Sequence, residues 1–129
     1  MATVGVGVDI VDVPRFALAL DRHPKLLTRL FTDQERSDAN SRPERLAARF
    51  AAKEAVLKTL GSGIGAAPWR SIEIRRDASG APSVHLHGAA KELASRCGVG
   101  ELHVSLTHTD QMAAAFVVAS AAIGSPRGG

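Results

Sequence analysis

An aspartate interrupts the first predicted strand of this chain, which is otherwise apolar. The range 4–11 is rich in Val and Ile, and Asp9 shares one face of this strand with Gly5 and Gly7. A carboxylate is unfavourable inside a strand, and two glycines leave room beside it for a ligand or for another backbone. Because Asp12 is better placed to cap the helix that follows, Asp9 is predicted to be a metal ligand or a catalytic group.

A lysine lies inside the apolar stripe of the longest predicted helix, residues 43–60. At about 100° per residue, Lys53 falls within the stripe formed by Leu46, Phe50, Leu57 and Leu60. An unpaired ammonium is costly to bury, so Lys53 must reach water, pair with an acid or enter a polar pocket.

Charged residues of this helix also follow one another at the spacing of one turn. Arg45, Arg49 and Lys53 form a row of like charge, which is unfavourable unless an anion offsets it. Glu54 and Lys58 have opposite charges at the same spacing. Their ordinary interpretation is a surface salt bridge worth a few tenths of a kcal/mol.

The rest of the sequence predicts the elements that must position these groups. Thr32–Glu35 and Ser41–Glu44 both have the capping-box pattern of a helix start, and Gly61 is placed to end the long helix. The other predicted elements are a helix over 12–22, a hairpin over 69–76 and 82–87, a helix over 88–97, and strands over 102–107 and 112–120. This order favours an α+β fold, an antiparallel or mixed sheet packed against the long helix. It predicts one domain, residues 1–123, and a flexible tail, residues 124–129.

Composition excludes several classes of protein. The 129 residues are 45% hydrophobic and 22% charged, as in ordinary globular domains, and the apolar runs are too short to span a membrane. One cysteine, Cys97, allows no internal disulfide and favours the cytoplasm. The net charge of +3 is local: 15–29 has four basic residues and one acid, and 42–58 has five and two. This distribution suggests an acidic or phosphorylated partner, although solvated helix faces would explain it equally well.

Two motifs and their spacing resemble a known family. Gly7-Val-Asp9 lies about forty residues before Arg49-Phe-Ala-Ala-Lys53-Glu54-Ala-Val-Leu-Lys58, and His103-Val-Ser-Leu-Thr-His108 lies near the end of the chain. Together, in so short a chain, they resemble the 4′-phosphopantetheinyl transferases, and in particular their short branch, the holo-acyl-carrier-protein synthases. The resemblance covers 4–120 and implies the fold of that family.

The resemblance also implies a reaction and its residues. 4′-Phosphopantetheine would pass from coenzyme A to a serine of an apo acyl carrier protein, with Mg²⁺ on Asp9 and Glu54 and release of adenosine 3′,5′-bisphosphate. Glu54 and Lys58 would be catalytic, and either Glu54 or a metal-bound water would accept the serine proton. The implied coenzyme A contacts are Arg49, Lys53, Lys58, Gly61, Gly63, His103, Ser105 and His108. The short branch generally forms trimers, so a homotrimer with sites between chains is expected.

The resemblance and the local positive charge together suggest a binding partner. Acidic carrier proteins, of fatty-acid or polyketide synthesis, would dock on Arg15, Arg22, Lys25 and Arg29. A Mg²⁺-dependent phosphodiester hydrolase would use the same pair of carboxylates. A basic nucleic-acid-binding module is the other alternative, but five aromatic residues and no binding motif argue against it. His85 and His87 are expected to be exposed, and neither has partners at the spacing of a zinc site.

Overall fold

A computed structural model describes residues 2–61 and 65–123 of the chain. Gly63 and the predicted tail, 124–129, lie outside the described residues. The elements are β1 (Thr3–Asp12), α1 (Val13–Arg22), α2 (Lys25–Leu30), α3 (Asp33–Ala39), α4 (Pro43–Thr59), β2 (Ile72–Arg76), β3 (Pro82–Leu86), α5 (Gly88–Arg96), β4 (Val99–His108) and β5 (Met112–Ala121). In the described ranges, no helix is long and apolar enough to cross a membrane.

Two antiparallel sheets confirm the predicted α+β class. β1, β5 and β4 form a three-stranded sheet in that order, and β2 and β3 form a separate hairpin. One face of the larger sheet packs on α4, which also contacts β2. Trp69–Ser71 is a single 3-10 turn rather than the start of a strand, so the hairpin begins at Ile72.

Small residues bring the long helix close to the sheet. Ala51 and Ala55 on α4 are fully buried, as are Ala115 and Val117 on β5. A β-carbon on Gly7 would collide with the backbone carbonyl oxygen of Ala55. The glycines beside Asp9 therefore admit another backbone, that of α4, which was one of the two possibilities their spacing left open.

The opposite face of the three-stranded sheet is apolar and open. Val6, Val8 and Ile10 on β1 are 64%, 44% and 62% exposed, and Phe116 on β5 is 56% exposed. Val8 and Phe116 are opposite each other in the antiparallel register. We call this the outer sheet face; contiguous apolar exposure of this kind is typical of interaction surfaces.

Of the four helix ends predicted from capping residues, three are confirmed by the structure. Asp12 caps α1 by accepting the Arg15 amide at 2.8 Å. Thr32 and Glu35 form the predicted capping box of α3. Gly61, with φ of +71°, follows the end of α4 in the left-handed conformation that glycine adopts readily.

The second predicted capping box is wrong. Arg42, not Ser41, is the N-cap of α4, and no side chain caps that end. Asn40 and Ser41 both have left-handed backbone, with φ of 51° and 56°. The chain is therefore still turning out of α3 at Ser41, and an N-cap needs extended backbone at that position.

Candidate active site

Asp9 and Glu54 line one open groove between β1 and α4. The groove has a volume of about 460 Å³, and Phe16 and Phe50, which stack with ring centroids 5.2 Å apart, form part of its wall. We call it the acidic groove. The two carboxylates are 45 residues apart in sequence, and the close packing of β1 on α4 brings them together.

In the acidic groove, the ammonium of Lys58 forms its salt bridge with Asp9. Burial, and then the negative charge of Asp9, raise the pKa of Glu54, while Lys58 opposes that shift. Lys58 Nζ lies 2.9 Å from Asp9 Oδ1 and also donates to the Val8 carbonyl oxygen at 3.1 Å. The hydrogen bond to Asp9 raises the pKa of Lys58. Lys58 thus pairs across to β1, and among the described residues its salt bridge is with Asp9 rather than with Glu54.

The donor set of the acidic groove fits a magnesium ion. Mg²⁺ is bound through one or two carboxylates and completes its coordination with substrate phosphates and water. Asp12 also lines the groove, but it is committed to the cap of α1. Within the described ranges, no group of three or more His, Cys, Asp or Glu side chains could hold a metal. Two carboxylates are therefore what the groove offers.

A second groove is strongly basic. It has a volume of about 270 Å³ and lies between α4, the β2–β3 hairpin and the end of β4. Its charged or titratable lining residues are Arg45, Arg49, Arg75, Arg76 and His108. We call it the basic groove. It brings together two predicted coenzyme A residues, Arg49 and His108, with Arg45 from the same charged row and with two hairpin arginines, Arg75 and Arg76, that the sequence did not place there.

Arg49 is the buried member of the basic groove. Its side chain is only 7% exposed, and Nη1 donates to the Arg45 carbonyl oxygen at 3.1 Å. In the part of the chain that the structure describes, its Nε is buried without a hydrogen-bond partner. Burial lowers the pKa of Arg49, although nearby Asp38 and Glu35 oppose the shift. An anion in this groove would offset the adjacent like charges of Arg45 and Arg49.

Lys53 is buried in the protein interior and bonded to other parts of the chain. Its side chain is fully buried, and Nζ donates to Glu35 Oε1 at 2.7 Å and to the Trp69 carbonyl oxygen at 3.0 Å. Burial lowers the pKa of Lys53 despite the charge of Glu35. This contradicts the prediction that Lys53 contacts coenzyme A, because its ammonium is enclosed and already bonded.

Three further predicted coenzyme A contacts, His103, Ser105 and Gly61, are absent from the linings of the two grooves. His103 and Ser105 are exposed on the outer sheet face, where Ser105 is opposite Phe116 in the register. Gly61 is exposed directly after α4, one residue beyond Leu60. The structure therefore does not bring all the predicted coenzyme A residues together within one copy of the chain.

The predicted docking residues are all exposed. Arg15 and Arg22 lie on α1, and Lys25 and Arg29 lie on α2. Arg15 also lines the acidic groove, so this basic surface reaches the edge of the candidate site.

A polar network under the hairpin was missed by the sequence analysis. Glu73 is 6% exposed and accepts hydrogen bonds from Thr32 Oγ1 at 2.6 Å and Arg75 Nε at 2.7 Å, and His87 Nε2 lies 3.2 Å away. Burial alone would raise the pKa of Glu73, but these three partners together lower it to about 2. His85 is half-buried within 3.4 Å of Arg75, so the expectation of a simply exposed histidine is wrong for it.

Known proteins are similar to this chain in both sequence and fold. A profile of the 4′-phosphopantetheinyl transferase superfamily matches residues 5–117. The holo-[acyl-carrier-protein] synthase of Frankia casuarinae is 52% identical, over 92% of this chain and 98% of its own. The acyl carrier protein synthase of Mycobacterium tuberculosis has a TM-score of 0.74 at 42% identity, covering 93% of this chain and 99% of its own. The Helicobacter pylori synthase in complex with coenzyme A has a TM-score of 0.81 at 31% identity, covering 89% and 99%.

The matches agree on one class of protein. An α+β fold of this topology, matched over nearly its whole length, is that of a phosphopantetheinyl transferase. The chain belongs to the 4′-phosphopantetheinyl transferase superfamily, in its holo-[acyl-carrier-protein] synthase branch, and it is an enzyme.

Proposed function

We propose that this chain transfers 4′-phosphopantetheine from coenzyme A to a serine of an apo acyl carrier protein, with Mg²⁺ on Asp9 and Glu54, and releases adenosine 3′,5′-bisphosphate. The main support is the acidic groove, in which the two carboxylates lie beside the ammonium of Lys58. The related Helicobacter pylori synthase, solved in complex with coenzyme A, supports coenzyme A as the donor. The single cysteine accords with a cytoplasmic enzyme.

The charges of the acidic groove suit phosphoryl transfer. When bound there, Mg²⁺ would supply positive charge that stabilises the negative charge developing on the pyrophosphate. Lys58 would supply a second positive charge beside the phosphates, since its half-exposed side chain ends in an ammonium that is protonated at neutral pH. Lys58 is therefore proposed to contact phosphate during the reaction.

Glu54 is the proposed proton acceptor. The reaction forms a bond from the serine Oγ to the β-phosphorus and breaks the bond from that phosphorus to the bridging oxygen, which leaves with the bisphosphate. The serine proton must go to a base. Glu54 lines the acidic groove, where it can accept the proton directly or through a water.

The basic groove is the proposed site for an anionic part of coenzyme A. Four arginines around a volume of about 270 Å³ concentrate positive charge, and Arg49 has a buried Nε with no protein partner among the described residues. Guanidinium groups bind phosphate through two parallel hydrogen bonds. The phosphates of coenzyme A are groups of this kind.

A homotrimer is proposed on the basis of the outer sheet face. Val6, Ile10 and Phe116 are each more than half exposed on this face, which is unusual for a face of a sheet in a monomer. Further copies of the chain would cover it. His103 and Ser105 lie on the same face, so in a trimer they could contact coenzyme A bound to a neighbouring copy.

Carrier-protein docking is proposed on α1 and α2. Arg15 and Arg22 share one face of α1 with Leu18, which is 46% exposed, so an apolar side chain lies between two cations. An acidic partner with an apolar residue would match this surface. Its charges would act mainly on association rate and orientation.

The direct test is mass spectrometry of an apo acyl carrier protein incubated with coenzyme A and Mg²⁺. We expect the mass of phosphopantetheine on the carrier, its loss when the metal is chelated, and its loss in Asp9→Asn and Glu54→Gln variants that retain the wild-type thermal transition. An unchanged mass with fatty-acid and polyketide carriers alike would contradict the proposal. Coenzyme A cleavage that proceeds equally without carrier would support the phosphodiester hydrolase instead.

A further inference from the structure

Lys58 holds an oxygen that a metal in the acidic groove would need. Its Nζ lies 2.9 Å from Asp9 Oδ1 and 3.1 Å from the Val8 carbonyl oxygen. The Asp9 side chain is 12% exposed, so little of its carboxylate is reached from solvent except through the groove. A divalent cation on Asp9 would therefore lie beside an ammonium of the same charge sign.

Lys58 is free to move where Lys53 is not. The Lys58 side chain is 54% exposed and extends from the last turn of α4, whereas the Lys53 side chain is fully enclosed by its partners. A flexible lysine stem at a half-exposed position can turn its ammonium from Asp9 toward a nearby anion at small cost. A phosphate in the groove would be such an anion.

We propose that Lys58 competes with the divalent cation for Asp9, and that coenzyme A phosphates relieve this competition by drawing the ammonium away, so that cation and coenzyme A bind cooperatively. This inference rests on the proposed function, because it needs the metal site on Asp9 and Glu54. It adds that one lysine links the two ligands. Cooperativity of this kind is reciprocal, so each ligand must raise the affinity for the other by the same factor.

The first arm of the test measures Mn²⁺ affinity without coenzyme A, by titration calorimetry. Lys58→Met removes the ammonium and keeps most of the stem, so we expect it to bind Mn²⁺ about tenfold more tightly than the wild type. Lys58→Gln serves as a second variant should Lys58→Met fold poorly. Lys91→Met, which removes an exposed lysine from α5, should leave the affinity unchanged. Equal or weaker Mn²⁺ binding by both Lys58 variants would overturn the inference.

The second arm measures the coupling itself. Saturating coenzyme A should tighten Mn²⁺ binding in every variant, because its phosphates also ligate the ion, but the factor should be several-fold larger in the wild type than in Lys58→Met. Equal factors would overturn the inference. Asp9→Asn distinguishes failure of the metal site from failure of the competition. If Asp9→Asn abolishes Mn²⁺ binding while the Lys58 variants bind Mn²⁺ as the wild type does, the metal site is supported and only the competition is refuted. If no form of the chain binds Mn²⁺, the proposed metal site fails as well.

Discussion

Lys53 Nζ lies 2.7 Å from Glu35 Oε1, with both side chains fully buried. The Glu35 carboxylate also accepts the backbone amides of Thr32 and Ile74, each at 2.9 Å. One carboxylate thus joins the start of α3, the centre of α4 and the first strand of the hairpin. Because Lys53 immediately precedes Glu54, this pair also fixes the rotation of α4 that directs Glu54 to the acidic groove.

Lys53→Met should destabilise the fold strongly. It leaves the buried Glu35 carboxylate without its cation, a change that typically costs about 3–5 kcal/mol in the free energy of unfolding. Urea denaturation followed by circular dichroism measures this. Lys91→Met, at an exposed position on α5, is the matched control and should leave the unfolding midpoint near that of the wild type. A loss below about 1 kcal/mol in Lys53→Met would show that the pair is dispensable.

Arg76→Gln should weaken coenzyme A binding by about tenfold or more. This arginine lines the basic groove, and a charge-assisted bond to phosphate contributes about 1.5–3 kcal/mol. Titration calorimetry with coenzyme A measures the affinity, with Lys91→Gln on α5 as the control for loss of one positive charge. Wild-type affinity in Arg76→Gln and in the corresponding Arg45 variant would place the anion elsewhere.

Charge reversal at Arg22 and Arg29 should lower kcat/KM for an acidic carrier and leave coenzyme A affinity nearly unchanged. Both residues are exposed and lie outside the lining of the acidic groove, so their charges act on encounter. The rate should also fall less steeply with salt than that of the wild type, because exposed charges are screened within about 8 Å at physiological ionic strength. The same reversal at Lys91 and Arg96 on α5 is the control. Identical rates and salt slopes in all three proteins would mean that the carrier docks elsewhere.

Phe116→Asp should convert the proposed trimer to a monomer. A carboxylate at the centre of the outer sheet face cannot be buried between copies without a partner, at a cost of several kcal/mol. Size-exclusion chromatography with light scattering gives the mass. Ile123→Asp, at a residue that is 87% exposed, is the control and should leave the assembly unchanged. A wild-type chain that is already monomeric at high concentration would refute the trimer directly.

Acid should destabilise the chain through Glu73. Its pKa is about 2 in the folded state against an ordinary value of 4.5, so its contribution to stability is complete above pH 4.5 and is lost as the pH falls toward 2. A shift of this size corresponds to at most about 3 kcal/mol. Glu73→Gln should therefore show a flatter dependence of the free energy of unfolding on pH across this range, measured by urea denaturation. Parallel curves for the two proteins would contradict the assignment.

Local chemistry determined most of the elements from the sequence alone. Asp12 and the Thr32–Glu35 box act through residues three positions away, so their caps follow from sequence spacing. The long helix and its glycine end are likewise local. The Ser41–Glu44 box failed because the left-handed turn after α3 already fixed the backbone of Ser41, a constraint set by how two helices are joined.

Only the tertiary structure decided which faces and which partners meet. A period of two shows that Val6, Val8 and Ile10 share a face of β1, but not that the glycine face packs on α4 while the valines stay exposed. The sequence also showed that Lys53 needed a partner, and left open which one. Glu35, like the hairpin arginines of the basic groove, is brought close by chain segments far apart in sequence. The physical reason is that packing area and charge neutralisation are settled between elements, whereas caps, turns and periodicity are settled within them.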